Sequence, residues 1–573
     1  MAYYYRETPE DRLEEKTWLP YIVFAVVTAI LSWPIITTLS NWGIRDWDLF
    51  TTLHASVVRS IVEYGQFPFW NPYIGGGNIL FAHPEVPVLN PVVLLYLVFG
   101  PLIGLKIQLL LAYYCGFIGT YKLARAFGIS IYGSYIPPLV FMLSSYFALH
   151  FSAGHIPFHY FAALPWLVFV YKKSLDNPWY ILWMSAITAF MILGSGAAVP
   201  VVFSLFFLFL FSLFDLSERN RFWPPLYAIA GGVGGVLIAA VKFLPMADYL
   251  SRHPWVPDGT VMTTPLSLLP TMLFNFNQSM FSGYAQGYVW GWHEYGAYLG
   301  PLAVILVAIG LLFAFKRTWS FLVLAVFSLL LVLGSFASWA PWELLHKLPA
   351  FESMRVPSRF IILALFALAF IAGIGLDRLI ALFKFRRGAM TILFFIAIAG
   401  THLLVSLPIL GEAFTREAEQ PEIQADFRQI QGDPNRMYAA FLANEGTVRA
   451  AWLSAYRGGR GIFDGQEMQE WYSEGEFVQV IDREFSPNRL VFHVRTAAGG
   501  QLVVGQGYDP GWRRADDGAI KEFHDLLSFR VYPHDERIEL YYRPDYFAVG
   551  LIVSIVSALL AIAAPIVYRK LSS

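Results

Sequence analysis

Apolar stretches long enough to cross about 30 Å of hydrocarbon recur along most of this 573-residue chain, and they leave it few possible folds. They run at roughly 18–39, 102–124, 129–149, 156–171, 178–194, 197–214, 225–247, 295–315, 319–336, 358–381, 389–410 and 546–568. In lipid every backbone amide must find its partner within the segment, so the spacing predicts a mainly α, polytopic membrane protein with about twelve transmembrane helices. Composition agrees, with 57% of residues hydrophobic and 14% charged, where a soluble domain carries about a quarter. A net charge of −1 argues against nucleic acid as a partner, because displacing counterions from phosphates needs a basic footprint. The single cysteine, Cys115, lies in an apolar run and leaves no intrachain disulfide to form. The polar start, Met1 to Lys16, leads into an apolar run without a small-residue cleavage site, which predicts an uncleaved first helix.

The run 86–101 is a further hydropathic candidate, and charge decides against it as a span. If it does not cross, Arg12/Lys16, Lys122/Arg125, Lys172/Lys173, Arg219/Arg221, Lys316/Arg317, Lys384/Arg386/Arg387 and Arg569/Lys570 all fall on the cytoplasmic side. Broken by Pro87, Pro91 and Pro101, it is expected to be re-entrant or interfacial, with both termini in the cytoplasm. Residues 1–410 then form the transmembrane module, with outer loops 40–101, 248–294 and 337–357. Residues 411–545 form an extracytoplasmic accessory domain, and 546–573 the last helix and a cytoplasmic tail. From about 476 the accessory domain alternates apolar and polar residues, as in RLVFHVRT and RIELYYR, and reads as antiparallel β; 411–475 reads as helical or irregular.

Function is sought on the outer segments. The first loop holds Asp46, Asp48, His54, Arg59, Glu63, His83 and Glu85 near an apolar boundary, where ionised groups are costly to desolvate. Two carboxylates at i and i+2 can supply a general base, hold a divalent cation or bind acceptor hydroxyls; the plainer alternative is solvated loop charges paired with Arg45. IGGGN (Ile74 to Asn78) is a turn signal rather than a phosphate loop, and Phe67, Phe69, Trp70 and Tyr73 read as an interfacial belt. Lys106, Lys242, Arg355 and Arg359 run against the charge trend and suit a phosphate, although each alone can snorkel to headgroups. His293 and Glu294 directly precede a span, as a catalytic carboxylate or as a charge complementing a helix dipole. The spacing of His150, His155 and His159 does not match a metal-binding helical pair, so no metal is assigned to them.

Taken in order, DLFTTLHASVVRSIVEYGQFPFWNPYIGGGNILFAHPE, LNPVVLLYLVFGP, HEYGAYLGPLAVIL, LPAFESMRVPSRF and YDPGW resemble the YfhO family of bacterial membrane proteins, itself similar to the glycosyltransferase C (GT-C) superfamily. The most specific parts are PFWNPYIGGG and RVPSRF; His83 to Glu85 reads His-Pro-Glu where relatives commonly have Asn-Pro-Gln. The resemblance implies an inverting transfer of sugar from a polyprenyl-phosphate donor to a cell-envelope glycan, lipid or protein at the outer face. Asp48 is the implied catalytic carboxylate, with Asp46 second. Glu85, His83, Asn71, Arg59 and Glu294 would bind substrate, and Arg355, Arg359 and Lys106 the phosphate. No cofactor is certain, and a divalent cation is the candidate that the carboxylates can hold. Competing readings are a transporter or flippase for lipid-linked glycans and a non-catalytic membrane scaffold.

Overall fold

The computed structural model describes residues 18–195, 199–219, 222–253, 263–281, 289–383, 386–449, 462–464 and 467–572. Seven described helices are long and apolar enough to cross a membrane: Pro101–Ala126, Gly133–Ala153, Val199–Leu216, Pro301–Val332, Pro357–Phe383, Arg387–Gly411 and Phe547–Ile566. Trp223–Ile238 and Ala240–Arg252, bent by 87° at their junction, make an eighth if they count as one span. The chain is therefore a multi-pass membrane protein.

The other expected spans take different forms, each with a local cause. Stretches 18–39 and 178–194 are the shorter apolar helices Leu19–Leu31 and Tyr180–Ser195. Residues 156–171 divide into a 3-10 stretch, Ile156–Ala163, and a helix, Leu164–Ser174, since Pro157 and Pro165 each remove a backbone donor at an element start. The pair 295–315 and 319–336 is one run, Pro301–Val332, that leaves helical geometry at Ala314 (φ −140°, ψ 28°). Thr318 Oγ1 lies 3.5 Å from the carbonyl oxygen of Gly310, eight residues back. A straight helix would separate those residues by about 12 Å, so two arms fold against each other at Ala314. Within 86–101 the only helix is Val93–Phe99, whose seven residues rise about 10 Å, too little to cross, before Gly100 (φ 78°) turns the chain into Pro101–Ala126. Of the basic residues invoked for orientation, Arg12, Lys16, Arg221 and Lys384 lie outside the described residues.

Helix Ile361–Phe383 runs through the middle of the bundle, with both sides buried along most of its length. Close backbone approach is what places it there: a Cβ on Gly375 would meet the carbonyl oxygen of Leu306 at 1.9 Å, and one on Gly310 that of Ile371 at 2.6 Å.

At one end of the bundle stands a β-sandwich of two antiparallel four-stranded sheets. One has the order Ile520–Phe523, Leu526–Val531, Gly500–Gly507, Trp471–Glu474; the other has Trp512–Arg514, Arg537–Tyr542, Arg489–Arg495, Gln479–Ser486. Period-two alternation turns Leu490, Phe492 and Val494 of one sheet toward Leu502, Val504, Leu527 and Phe529 of the other. Strands begin earlier than the sequence reading has them. Trp471–Glu474 completes a sheet, and Arg428–Ile430 pairs in parallel with Glu445–Thr447.

The sandwich is bolted to the first long loop. Trp70 inserts into its core beside Trp512 (ring centroids 5.3 Å) and Tyr542 (4.7 Å), and Trp70 Nε1 donates to Gln506 Oε1 at 3.0 Å. Gly75, Gly76 and Gly77 all have positive φ, and their loop takes an N–H from Gly507 onto the Gly76 carbonyl at 2.9 Å. The aromatics and glycines of PFWNPYIGGG thus form a docking element. Asp509 of YDPGW completes the joint, 3.1 Å from Arg252 at the end of the bent helix.

Candidate functional site

Asp46 opens the Asp46–Val62 helix just after Arg45, which turns the chain through a φ of 56°. Gly154 ends the Ser145–Ala153 helix in the left-handed region (φ 92°). A Cβ there would sit 2.3 Å from the backbone nitrogen of Trp47 and 2.7 Å from the carbonyl carbon of Asp46, so glycine alone allows the two turns to touch. Trp47 Nε1 donates to the Phe151 carbonyl at 2.7 Å and locks the contact. Asp46 Oδ2 consequently lies 3.4 Å from His155 Nε2.

Three more segments converge on His155. The turn Trp292–Glu294 brings His293 and Glu294, the turn Pro357–Phe360 brings Arg359, and the loop after His83 brings Glu85. Arg359 grips Glu294 through Nε at 2.7 Å and through Nη2, leaving its Nη1 edge for an anion. Glu294 Oε1 is 4.0 Å from His155 Nδ1 and 3.8 Å from His293 Nε2. His150 Nδ1 is 2.8 Å from His155 Nδ1, so one of the two carries the shared proton. If His155 presents its Nε2–H to Asp46, its Nδ1 accepts from His150, and that tautomer satisfies both contacts.

Electrostatics divide these groups. Burial pushes Glu294 up, but the charge and hydrogen bonds of Arg359, with His155 and His150, outweigh it and hold the carboxyl well below its usual range. Glu85 goes the other way: burial raises it, Asp46 adds to the rise, and His155, Arg359 and Lys242 offset only part. His293 is pushed down to about 3 by burial, and so is neutral near pH 7. Its Nδ1, His150 Nε2 and the Tyr146 and Ser358 hydroxyls are buried, and among the described residues they have no hydrogen-bond partner. Unmet polar atoms are costly in a dry interior, and these belong to the cluster around His155 and Arg359 or to its chain neighbours.

His155, His293 and Glu294 can each offer a ligand atom, all within 4.8 Å of one another. Two imidazoles and a carboxylate suit a divalent transition ion. Such an ion would share Glu294 with Arg359 and would compete with the hydrogen bond from His150.

The remaining sequence candidates lie elsewhere. Asp48 is two residues from Asp46, about 200° around the helix, so the pair does not share one site. Its Oδ2 accepts the N–H of Met437 at 2.6 Å and of Tyr438 at 3.3 Å, and Arg416 Nη1 stands 3.6 Å from Oδ1. Burial pushes this carboxyl up to about 6 against the pull of those amides and Arg416. Arg59 donates to the Phe441 carbonyl at 2.8 Å and lies over the Phe441 and Tyr73 rings. Lys106 spends its protons on the carbonyls of Thr38 (2.6 Å), Leu39 (3.0 Å) and Asn41 (2.7 Å). Asn71 Oδ1 accepts the Tyr73 N–H, and His83 Nδ1 accepts the Glu85 N–H. Arg355 lies 5.3 Å over the Trp290 ring. Sequence reasoning missed the placement of His155 because, His150 apart, the groups around it come from distant segments, Asp46 and Glu85 before it and His293, Glu294 and Arg359 after it; the one usable signal was a glycine next to a histidine, Gly154–His155, at a polar turn.

No family model matches the sequence, and no curated protein matches it, so the YfhO resemblance rests on the motifs quoted above. Among solved structures, the chain is similar to the arabinofuranosyltransferase AftD from Mycobacteria, with a TM-score of 0.49 and 14% identity over 76% of this chain. It spans only 32% of that protein's length. It is also similar to ArnT from Cupriavidus metallidurans bound to undecaprenyl phosphate, with a TM-score of 0.40 and 13% identity over 74% of this chain and 85% of that one.

Proposed function

We propose that this protein is an inverting membrane glycosyltransferase of the YfhO type, transferring a sugar from a polyprenyl-phosphate donor to a hydroxyl of a cell-envelope acceptor at the outer face. The observation that carries the reading is the convergence of Asp46 and His155 with Glu85, Glu294 and Arg359 at the end of a lipid-embedded bundle. The order of the two aspartates is inverted relative to the sequence reading: Asp46 is the base, and Asp48 holds the accessory domain.

In this reaction Asp46 takes the acceptor hydroxyl's proton while the oxygen forms its bond to the anomeric carbon. The carbon–oxygen bond to the lipid phosphate breaks, and its electron pair leaves on the phosphate. The Nη1 edge of Arg359, fixed by Glu294, meets that charge, with Arg355 as the second cation. His155 orients Asp46, and Glu85, half-buried and with its carboxyl raised above the usual range, holds an acceptor hydroxyl. A divalent cation at His155, His293 and Glu294 would supply a further positive centre beside the phosphate.

The test is donor consumption by the purified protein in lipid nanodiscs, read by mass spectrometry across a panel of polyprenyl-phosphate sugars. Wild type and Asp48→Asn are expected to consume one donor, and Asp46→Asn none. Consumption by Asp46→Asn at the wild-type rate removes Asp46 from the role. Chelation followed by add-back of Mn²⁺ or Zn²⁺ tests the cation, which is out if the chelated protein keeps full rate.

A further inference from the structure

The β-sandwich, the first long loop and the segment that holds Asp426, Phe427 and Asn444 line an open cleft, away from the Asp46 cluster, of about 390 Å³. That is within the usual range for small-ligand sites. Tyr64 of the loop lines it together with Trp471, Arg483 and Phe485 of the sandwich, and the exposed Asp426 and Asp482 line it as well.

The aromatic wall is held together by its own members, Phe427 among them. Phe427 and Phe485 stack with centroids 4.1 Å apart and planes 2° apart. Arg483 lies 5.6 Å from the Trp471 centroid and 5.5 Å from that of Phe485. It is neutralised by Glu470 at 2.9 Å and donates to the Phe427 carbonyl at 2.8 Å. Its charge is therefore consumed inside the wall, where it fixes two rings. Trp471 and Phe485 remain half-buried where they line the cavity. Asp426 and Asp482, by contrast, are exposed, and among the described residues neither carries an ion pair.

Rigid aromatic rings beside exposed carboxylates that carry no ion pair among the described residues define a ligand class, and of the two only Asp482 accepts a hydrogen bond among those residues, from the Arg483 N–H at 2.8 Å. We propose that this cleft binds a stretch of glycan whose sugars are neutral or amine-bearing. The C–H face of a pyranose ring buries apolar area against an indole or phenyl ring, while its hydroxyls or ammonium groups donate to Asp426 and Asp482. The same two carboxylates repel uronates and phosphates, so the rim selects against anionic polymers. Tyr64 follows directly on the 17-residue Asp46–Val62 helix, which is about 25 Å long, so the cleft and Asp46 lie at opposite ends of one rod. A polymer of several sugars held at Tyr64 reaches toward Asp46. That the bound glycan is the acceptor rests on the glycosyl-transfer reading; the cleft's ligand class does not.

The experiment measures binding of fluorescent hexasaccharides to the full chain in nanodiscs: a neutral cello-oligomer, a glucosamine oligomer and a galacturonate oligomer. Wild type is expected to bind one or both of the first two at least tenfold more tightly than the third. Asp426→Asn/Asp482→Asn, which changes only exposed side chains, should lose that discrimination, and Trp471→Ala should weaken binding at least tenfold. Because Trp471 also packs beside Phe492, Tyr64→Ala serves as the second wall variant. None of these variants should alter donor consumption with water as acceptor. Binding by none of the three oligomers, preference for galacturonate, or affinities unchanged in the aspartate and wall variants overturns the proposal. Glycan binding without any donor consumption leaves the cleft standing and removes the transferase reading; consumption without glycan binding does the reverse.

Discussion

Replacing Asp48 separates a structural carboxylate from a catalytic one. Its side chain is 4% exposed and accepts two backbone N–H groups at the start of the Met437–Leu442 helix. Asp48→Ala strands both donors in a dry contact. At about 1–3 kcal/mol for each unmet buried donor, the docked segment should open about 2–6 kcal/mol more easily. Asp48→Asn keeps an oxygen for the amides and removes a charge that burial disfavours. The sign follows from the folded-state value of about 6 against an ordinary 3.8. The folded state binds the proton more tightly, so the contribution is fully present below about pH 4 and is lost as pH rises through about 6. That rise, with the pull of the two amides and of Arg416 already in it, corresponds to about 3 kcal/mol. Wild type should thus dock less firmly at pH 7.5 than at pH 4.5, whereas Asp48→Asn should show little pH dependence. Hydrogen exchange of the 437–442 amides, followed across that range in nanodiscs, reads the local opening directly. Equal protection in wild type and Asp48→Ala refutes the reasoning. So does an Asp48→Asn variant as labile as the alanine, and loss of donor turnover in Asp48→Asn with protection unchanged would return catalysis to Asp48.

Gly154→Ala must move the Asp46–Trp47 backbone off its 2.3 Å clash and leave a φ of +92°, so donor turnover should fall at least tenfold while the sandwich stays protected; unchanged turnover refutes the placement of Asp46. Trp70→Ala removes a fully buried indole from the joint and should cost about 3–5 kcal/mol, seen as proteolytic release of the sandwich at temperatures where wild type is intact. Arg359→Ala leaves Glu294 buried and unpaired, a cost of about 3–5 kcal/mol, and should lower the unfolding temperature; adding Glu294→Gln should restore most of it but not turnover, and turnover in the double variant would dismiss the pair from the chemistry.

Local pattern foretold much of the fold. Period two in Arg489–Arg495 announced a strand with Leu490, Phe492 and Val494 inside, and the length of 358–381 announced the central helix. Prolines were read correctly as interruptions within 86–101, while Pro157 and Pro165 divided a stretch that hydropathy had joined. The reversal at Ala314 falls within three residues of Lys316 and Arg317, where the sequence reading divides 295–315 from 319–336. Charge was the less informative guide at the site. Arg59 and Lys106 stood out as cations against the trend, yet each ends on backbone carbonyls that a sequence does not display. His155, His293, Glu294 and Arg359 are brought together from positions 204 residues apart at the extremes, so no spacing rule joins them.

The Asp46–Val62 helix connects these observations. Its 100° step per residue sends Asp46 to the bundle and Asp48 to the accessory domain, and Arg59 near its far end grips Phe441. A carboxylate that must be held against His155 is thereby tied, through one rigid element, to the domain that forms the glycan cleft at Tyr64. Any loosening of the sandwich that shifts the helix along its axis moves Asp46 by the same amount, because a helix transmits translation without absorbing it. A displacement of 1 Å at a reacting group is enough to cost about a hundredfold in rate. The accessory domain therefore bears on the chemistry even though none of its described residues reaches the Asp46 cluster, and damage at Trp70 should appear in turnover before it appears in expression.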